Sequence, residues 1–219
     1  MFSLAGRDEY NPAMNSDREE IAILAADVGS SKNFGWAGKW SDTIQDGTSI
    51  EELGTTLVNL VRDGWRTCLG FECPVFIPCP SDVRALSKQR EGEHGKPWCA
   101  GAGANSCILG IQQLCWLLDC LKSSVPSEVK ATLNWSDFQA GNYSLYLWEA
   151  FVSGTSKSQS HVGDAQIALR AFANALPNPE TANAVTCSRP ISFAGLALLW
   201  SGLSDDVSII HRSSLVIRA

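Results

Sequence analysis

The chain has 219 residues, of which 45% are hydrophobic and 18% are charged, a composition that excludes a disordered chain and predicts one globular domain. Its net charge of −6 argues against strong sequence-independent binding to long duplex nucleic acid, because such binding needs many Lys and Arg side chains at the phosphates. No run approaches the roughly 18 apolar residues of a membrane span, and residues 1–20 lack the pattern of a secretory signal. We therefore expect no membrane partner and a cytoplasmic protein whose eight cysteines are reduced.

The first predicted element also supplies the first candidate site residue. The apolar run of residues 21–26 predicts a buried strand, Gly29 marks a tight turn, and residues 34–40 predict the return strand of a hairpin. Asp27 ends the first strand, where a buried carboxylate is unfavourable unless a partner compensates its charge. A divalent cation is one such partner, and a cap on the turn through the backbone is the alternative.

The rest of the chain alternates between helical and strand patterns. The spacing of apolar residues predicts helices over residues 50–66, 105–122, 161–176 and 192–203. Residues 41–47 have the composition of a turn, and a short third strand within them is an open alternative. Strands are predicted over residues 68–77, 143–152 and, as a strand or hairpin, 207–218. The segment between residues 81 and 104 is polar and rich in glycine, and such a long irregular segment is functional or mobile. We expect one domain over residues 1–219, with 1–20 as a loose lead-in and 177–219 as a C-terminal extension packed on the core.

Three carboxylates fall at the ends of predicted elements. Asp27 ends the first strand, Glu72 lies in the strand after the first long helix, and Asp164 opens a late helix. The order of elements predicts an α/β domain in which these points converge at one edge of a mixed central sheet. Clustered carboxylates raise one another's pKa values, and a pair of divalent cations in phosphoryl-transfer chemistry accounts for such a cluster.

Two short motifs and one strand residue carry a resemblance to a known family. The Asp-Val-Gly at residues 27–29, followed by Gly-Trp-Ala at 35–37, resembles the first motif of RuvC-like nucleases. The His-Val-Gly-Asp-Ala at 161–165 resembles their last motif, and Glu72 occupies the place of their middle-strand Glu. The layout over residues 21–176 is similar to that of the RuvC/RNase H-like nuclease superfamily, in particular of its uncharacterised predicted-nuclease branch.

This resemblance implies an RNase H-like fold, with a mixed central β-sheet flanked by α-helices on both faces. It also implies a nuclease that hydrolyses phosphodiester bonds of DNA or RNA, with Mg²⁺ or Mn²⁺ bound by Asp27, Glu72 and Asp164. Glu149 or His161 is the expected fourth member of the catalytic set. Three of these residues have a structural alternative, because Asp164 can serve the helix dipole, Glu149 can face solvent and His161 can be an ordinary loop histidine.

Positive charge is concentrated in the glycine-rich polar segment. Arg84, Lys88 and Arg90 are candidates for contacts with substrate phosphates. Trp98 in the same segment is a candidate for stacking on a base, and Lys32, directly after the first turn, is a further candidate for substrate binding. A solvated polar loop is the alternative for the charged residues.

Two other function classes remain open from the sequence. Residues 27–32, Asp-Val-Gly-Ser-Ser-Lys, also resemble the first phosphate loop of the actin and sugar-kinase-like phosphotransferases, although those enzymes need two such domains around a nucleotide. A non-catalytic binding protein, with the RNase H-like fold and without its chemistry, is the other class. The sequence leaves the oligomeric state open, a homodimer included.

Overall fold

The structure is a computed structural model that describes residues 21–30 and 32–219, so the predicted lead-in lies outside the described residues. Within them, a mixed central sheet of seven strands and five α-helices confirm the predicted α/β class. The strands are β1 (Ile21–Asp27), β2 (Gly35–Trp40), β3 (Thr43–Gly47), β4 (Arg66–Glu72), β5 (Phe76–Pro78), β6 (Ala131–Thr132), β7 (Leu145–Phe151), β8 (Pro190–Ser192) and β9 (Val216–Arg218). The helices are α1 (Ile50–Arg62), α2 (Gly101–Ser124), α3 (Trp135–Gln139), α4 (His161–Ala175) and α5 (Phe193–Trp200).

The central sheet has the strand order β3-β2-β1-β4-β7-β6, and β9 also pairs with β7. Strands β1, β2 and β3 form an antiparallel meander, whereas β4 and β7 run parallel to β1. The carboxyl ends of β1, β4 and β7 therefore meet at one edge of the sheet, which is where open α/β sheets bind ligands. A separate two-stranded sheet joins β5 to β8.

Helices cover both faces of the central sheet, because its inner strands are apolar on both sides. Helices α1, α2 and α5 pack on one face, against side chains that include Leu24, Leu69 and Leu147. Helices α3 and α4 pack on the other face, against Ile23 and Tyr146 among others. We call these the α2 face and the α4 face. Since side chains alternate along a strand, each residue at the edge of the sheet belongs to one face or the other.

Helix α2 begins at Gly101, earlier than the predicted start at residue 105. The glycines near its start suggest a flexible loop from the sequence alone, but Gly103 allows close packing instead. A Cβ on Gly103 would lie 2.8 Å from the carbonyl oxygen of Trp98, which is closer than side chains tolerate. The first turn of α2 therefore packs directly on the segment that precedes it.

Two predicted strands are shorter than expected. The strand predicted over residues 68–77 ends at Glu72, and after Pro74, which has no N–H to donate, the chain resumes as β5 and pairs with β8. The strand or hairpin predicted over residues 207–218 is a 3₁₀-helix, Val207–His211, followed by the short strand β9.

Residues 177–219 contribute to both sheets and to the core. Strand β8 pairs with β5, β9 pairs with β7, and α5 packs against α2. Across residues 21–30 and 32–219, no helix combines the length and apolar character needed to cross a bilayer.

Candidate active site

Three carboxylates converge at the carboxyl edge of the central sheet, beside α4. Asp27 and Glu72 are directly paired residues at the ends of the parallel strands β1 and β4. Asp164 joins them from the first turn of α4, which Ser160 caps by accepting a 3.1 Å hydrogen bond from the Gly163 N–H. Each of the three carboxylates offers an oxygen atom within 4.8 Å of the other two. We call Asp27, Glu72 and Asp164 the carboxylate cluster.

A glycine allows the start of α4 to approach β2. Gly35 pairs with Asp27 across the hairpin, and a Cβ on Gly35 would lie 2.3 Å from the backbone of His161. Because no side chain separates the two backbones, the His161 ring reaches Asp27, with 2.5 Å between Nδ1 and Oδ2. This contact holds the His161 ring against the carboxyl group, so His161 positions Asp27. The structure thus brings His161 together with the three predicted ligands.

Lys157 belongs to the site, although no motif in the sequence points to it. Its Nζ lies 3.0 Å from Glu72 Oε1 and 3.1 Å from Asp164 Oδ2, so one ammonium bridges two carboxylates. The backbone N–H of Ser158 donates to Asp164 Oδ1 at 2.5 Å. The signal that points to Lys157 is its position, because it is the only Lys or Arg between Glu149 and Asp164.

The three carboxylates differ in their electrostatics. Burial, reinforced by the negative charge of Asp27, raises the pKa of Glu72 to about 9. Burial also raises the pKa of Asp27, against the effect of its hydrogen bond with Glu72. Burial opposes the ionisation of Asp164 as well, but the Ser158 N–H and the Lys157 ammonium outweigh it and lower the pKa of that carboxyl. Burial and the neighbouring Asp27 charge therefore favour the protonated form of Glu72.

The donor set of the cluster suits a divalent cation. Glu72 Oε2 is buried and has no hydrogen-bond partner among the described residues. Carboxylate oxygens are the ligands that Mg²⁺ and Mn²⁺ prefer, and an added cation would relieve the mutual repulsion of the three groups. Asp27, Glu72 and Asp164 are therefore the residues that would hold it.

Glu149 lies outside the cluster, which corrects its prediction as a catalytic residue. It pairs with Phe71, one position before Glu72, so its side chain lies on the opposite α2 face of the sheet. There it accepts hydrogen bonds from the Val75 N–H at 3.1 Å and from both terminal nitrogens of Arg90 at 2.8 and 2.6 Å. Protein donors thus occupy the oxygens of Glu149.

Arg90 is buried as well, which corrects its prediction as a phosphate-binding residue. Its Nε donates to Glu93 Oε1 at 2.8 Å, its terminal nitrogens donate to Glu149, and its guanidinium lies 4.4 Å from the centre of the Phe76 ring. Glu93 Oε1 also accepts the backbone N–H of Trp98 at 3.0 Å. We call Arg90, Glu93 and Glu149 the buried ion triad. It fastens the irregular segment to the α2 face.

The other predicted phosphate-binding residues lie on the surface. Lys32 and Lys88 are exposed. Arg84 is exposed and pairs with the exposed Asp82, 3.1 Å away. Their contact with substrate stays a prediction.

A cavity of about 470 Å³ opens beside the carboxylate cluster. It lies at the carboxyl ends of β4 and β7, next to the first turns of α2. Glu72 and Lys157 belong both to its lining and to the site, and the predicted stacking residue Trp98 lines it as well. The buried ion triad forms a further part of its wall.

No family model, curated protein or solved structure matches the chain. The site itself is therefore the basis for assigning a function.

Proposed function

We propose that the chain is a divalent-metal-dependent nuclease that hydrolyses phosphodiester bonds of DNA or RNA. The observation that carries this proposal is the convergence of Asp27, Glu72 and Asp164, with oxygen atoms within 4.8 Å of one another. Three carboxylates in one place repel one another, and groups with such perturbed pKa values are concentrated at functional sites.

The topology supports an RNase H-like fold around this site. An antiparallel hairpin leads the sheet, β1 lies between β2 and β4, and β4 and β7 run parallel to β1. The cluster residues lie on β1, on β4 and at the start of the helix after β7. These are the elements whose motifs resemble those of RuvC-like nucleases. The fold supports the function by analogy, because one fold hosts many activities.

The residues of the site have distinct parts in the proposed reaction. Bound Mg²⁺ or Mn²⁺ would supply an activated water and stabilise the charge that develops on the phosphate. Asp27, Glu72 and Asp164 would hold the metal. His161 fixes the orientation of Asp27 through its Nδ1 contact. Lys157 is half-exposed, so its ammonium both neutralises the carboxylates and presents positive charge to a substrate phosphate.

The test is metal-dependent cleavage by the wild type and by Asp27→Asn. This change keeps the shape of the side chain and removes its charge. We therefore expect cleavage of single-stranded, duplex and branched DNA and RNA to fall by more than about 100-fold, with the fold retained. The wild type should also melt at a higher temperature with Mg²⁺ or Mn²⁺, because the metal binds the folded state.

Asp205→Asn is the matched control for this experiment, because the Asp205 carboxylate is exposed and pairs with Lys130 at the surface. It should leave both cleavage and the metal-dependent melting shift unchanged. If the wild type shows no metal-dependent change in melting and Asp27→Asn leaves cleavage intact, the nuclease proposal is wrong.

The bridging ammonium of Lys157 favours a second candidate, a non-catalytic RNase H-like binding protein. In such a protein Lys157 is the permanent counter-charge of Glu72 and Asp164, at 3.0 and 3.1 Å, and a metal is unnecessary. Metal titration separates the two candidates. The binding protein would show no melting shift and no cleavage, and it would still bind nucleic acid.

A further inference from the structure

The cavity beside the carboxylate cluster has the position and size of a ligand site. Its volume of about 470 Å³ lies within the range of about 300–1,000 Å³ that is typical of small-molecule pockets. It sits at the carboxyl ends of two parallel strands and shares Glu72 and Lys157 with the site. A ligand that places one group at the carboxylates therefore places its neighbouring group in the cavity.

The wall formed by the buried ion triad does not suit a phosphate. The guanidinium of Arg90 is bound by Glu93 and Glu149, and the residue is only 3% exposed. Two carboxylates against one guanidinium leave the triad without positive charge for an anion. The positive charge of the lining comes from Lys96 and Lys157 instead, so the group that lies against the triad is uncharged.

The apolar part of the wall suits a flat ring. It includes Trp98, Phe151 and Val152. Trp98 is held at two points, because its backbone N–H donates to Glu93 and its indole N–H donates to the Lys88 carbonyl oxygen, both at 3.0 Å. An aromatic side chain that is already fixed loses little conformational freedom when a ligand stacks on it.

We propose that this cavity binds one unpaired base of a nucleic acid whose adjacent phosphodiester lies at the carboxylate cluster, with Trp98 as the stacking surface. This inference rests on the proposed nuclease function and names its substrate class: single strands, frayed ends or unpaired nucleotides of DNA or RNA. A paired base cannot enter the cavity without leaving its stack. The net charge of −6 also offers few contacts to the phosphates of a long duplex.

The experiment measures binding of fluorescein-labelled ten-nucleotide strands of DNA and of RNA, and of hairpin duplexes with the same sequences, by fluorescence anisotropy. The Asp27→Asn protein is used with Mg²⁺, so that the strands stay intact. In this background Trp98→Ala should weaken single-strand binding by about 5- to 150-fold, which corresponds to the loss of one stacked base. Duplex binding should be weaker from the outset and insensitive to the change.

Two further variants separate stacking from damage to the fold. Trp98→Phe keeps an aromatic face, so single-strand affinity should stay within about three-fold of the parent. Trp200→Ala is the matched control, because Trp200 is an exposed tryptophan on α5.

A 2-aminopurine at the strand end gives a second readout. Its emission should be quenched on binding to the parent and to Trp98→Phe, and it should recover in Trp98→Ala.

The outcomes for the base site and for the nuclease function are distinguishable. Single-strand binding that depends on Trp98, without cleavage by the wild type, would keep the base site and remove the nuclease proposal. Cleavage that is unchanged in Trp98→Ala would keep the nuclease proposal and remove the base site. Equal affinity for single strands and duplexes, or no binding of any strand, overturns the base site.

Discussion

Two groups of buried acidic side chains lie at the same edge of the central sheet, on neighbouring strands and on opposite faces. In the buried ion triad on the α2 face, both oxygens of Glu149 accept hydrogen bonds from protein donors. In the carboxylate cluster beside α4, the half-exposed ammonium of Lys157 pairs with only two of the three carboxylates, and Glu72 Oε2 has no hydrogen-bond partner in the described part of the chain.

Burial is common to both groups, so what distinguishes them is the number of cations and hydrogen-bond donors available to the carboxylates. A buried ion pair with complete hydrogen bonding is needed for the stability of the fold, because removing either partner leaves an uncompensated charge. A cluster with too few donors is a place where an added cation stabilises the folded protein. We therefore interpret the triad as structural, whereas the cluster is the place of the proposed metal site.

The largest expected effect comes from breaking the triad. Arg90→Leu leaves Glu93 and Glu149 buried without their guanidinium, so we expect the free energy of unfolding to fall by about 3–5 kcal/mol. The melting temperature should fall by about 2–4 °C for each kcal/mol in a chain of this size. Thermal and urea unfolding measure the change. Arg84→Leu, at an exposed pair, is the control and should melt like the wild type.

The second prediction concerns Glu72 in the metal-free protein. Its pKa is raised from 4.5 to about 9, so the folded state keeps a proton that the unfolded chain releases. Wild-type stability should therefore fall as the pH rises through that window. Glu72→Gln has no proton to release and should be more stable by about 1–3 kcal/mol near pH 8, with the difference vanishing near pH 4.

Melting temperatures of the wild type and Glu72→Gln across this pH range, in a chelator, measure the effect. With Mg²⁺ or Mn²⁺ present the order should reverse, because the variant lacks one ligand. A difference that does not change with pH would contradict the raised pKa.

A smaller effect is expected at Lys157, whose side chain is 48% exposed. Lys157→Met removes the ammonium from the cluster. Solvent screening limits the loss of stability in the metal-free protein to about 1 kcal/mol. The metal-induced rise in melting temperature should increase, because the metal no longer competes with an internal cation. Melting curves with and without Mn²⁺ measure this increase. If the variant instead loses its metal-induced rise in melting temperature, Lys157 helps to arrange the carboxylates for metal binding.

The smallest effect is expected for the exposed cations of the irregular segment. Arg84→Glu and Lys88→Glu should weaken nucleic-acid binding without changing the melting temperature. The slope of log affinity against log salt should shrink by about 0.7–0.9 for each phosphate contact that is lost. An unchanged slope would remove these residues from the binding surface and leave them as solvated charges.

Local patterns predict most of the elements and most of the cluster. The apolar run that ends at Asp27, the strand that ends at Glu72 and the helix that opens at His161 are visible in the sequence, because each combines periodicity with a turn or cap signal. Asp164 follows from the same helix start. These residues depend on where an element begins or ends, which is local information.

The side of the sheet on which Glu149 lies is not local information. Both faces of β7 are apolar, so its alternation does not show which face a polar residue occupies. The register that pairs Glu149 with Phe71 depends on how β7 packs against β4, and a shift of one residue would place it opposite Glu72, on the α4 face. Lys157 and Arg90 lie in segments without periodicity, where a sequence gives no direction to a side chain.

The contact between Asp27 and His161 joins residues that are 134 positions apart. During synthesis, a growing chain contains Asp27 and Glu72 long before the ribosome reaches Asp164. The first two can pair as soon as β4 has formed, but the late helix must still dock to deliver the third carboxylate. The proposed metal site is therefore complete only after α4 has been synthesised and has docked, so a growing chain that has not reached Asp164 lacks one of its three ligands.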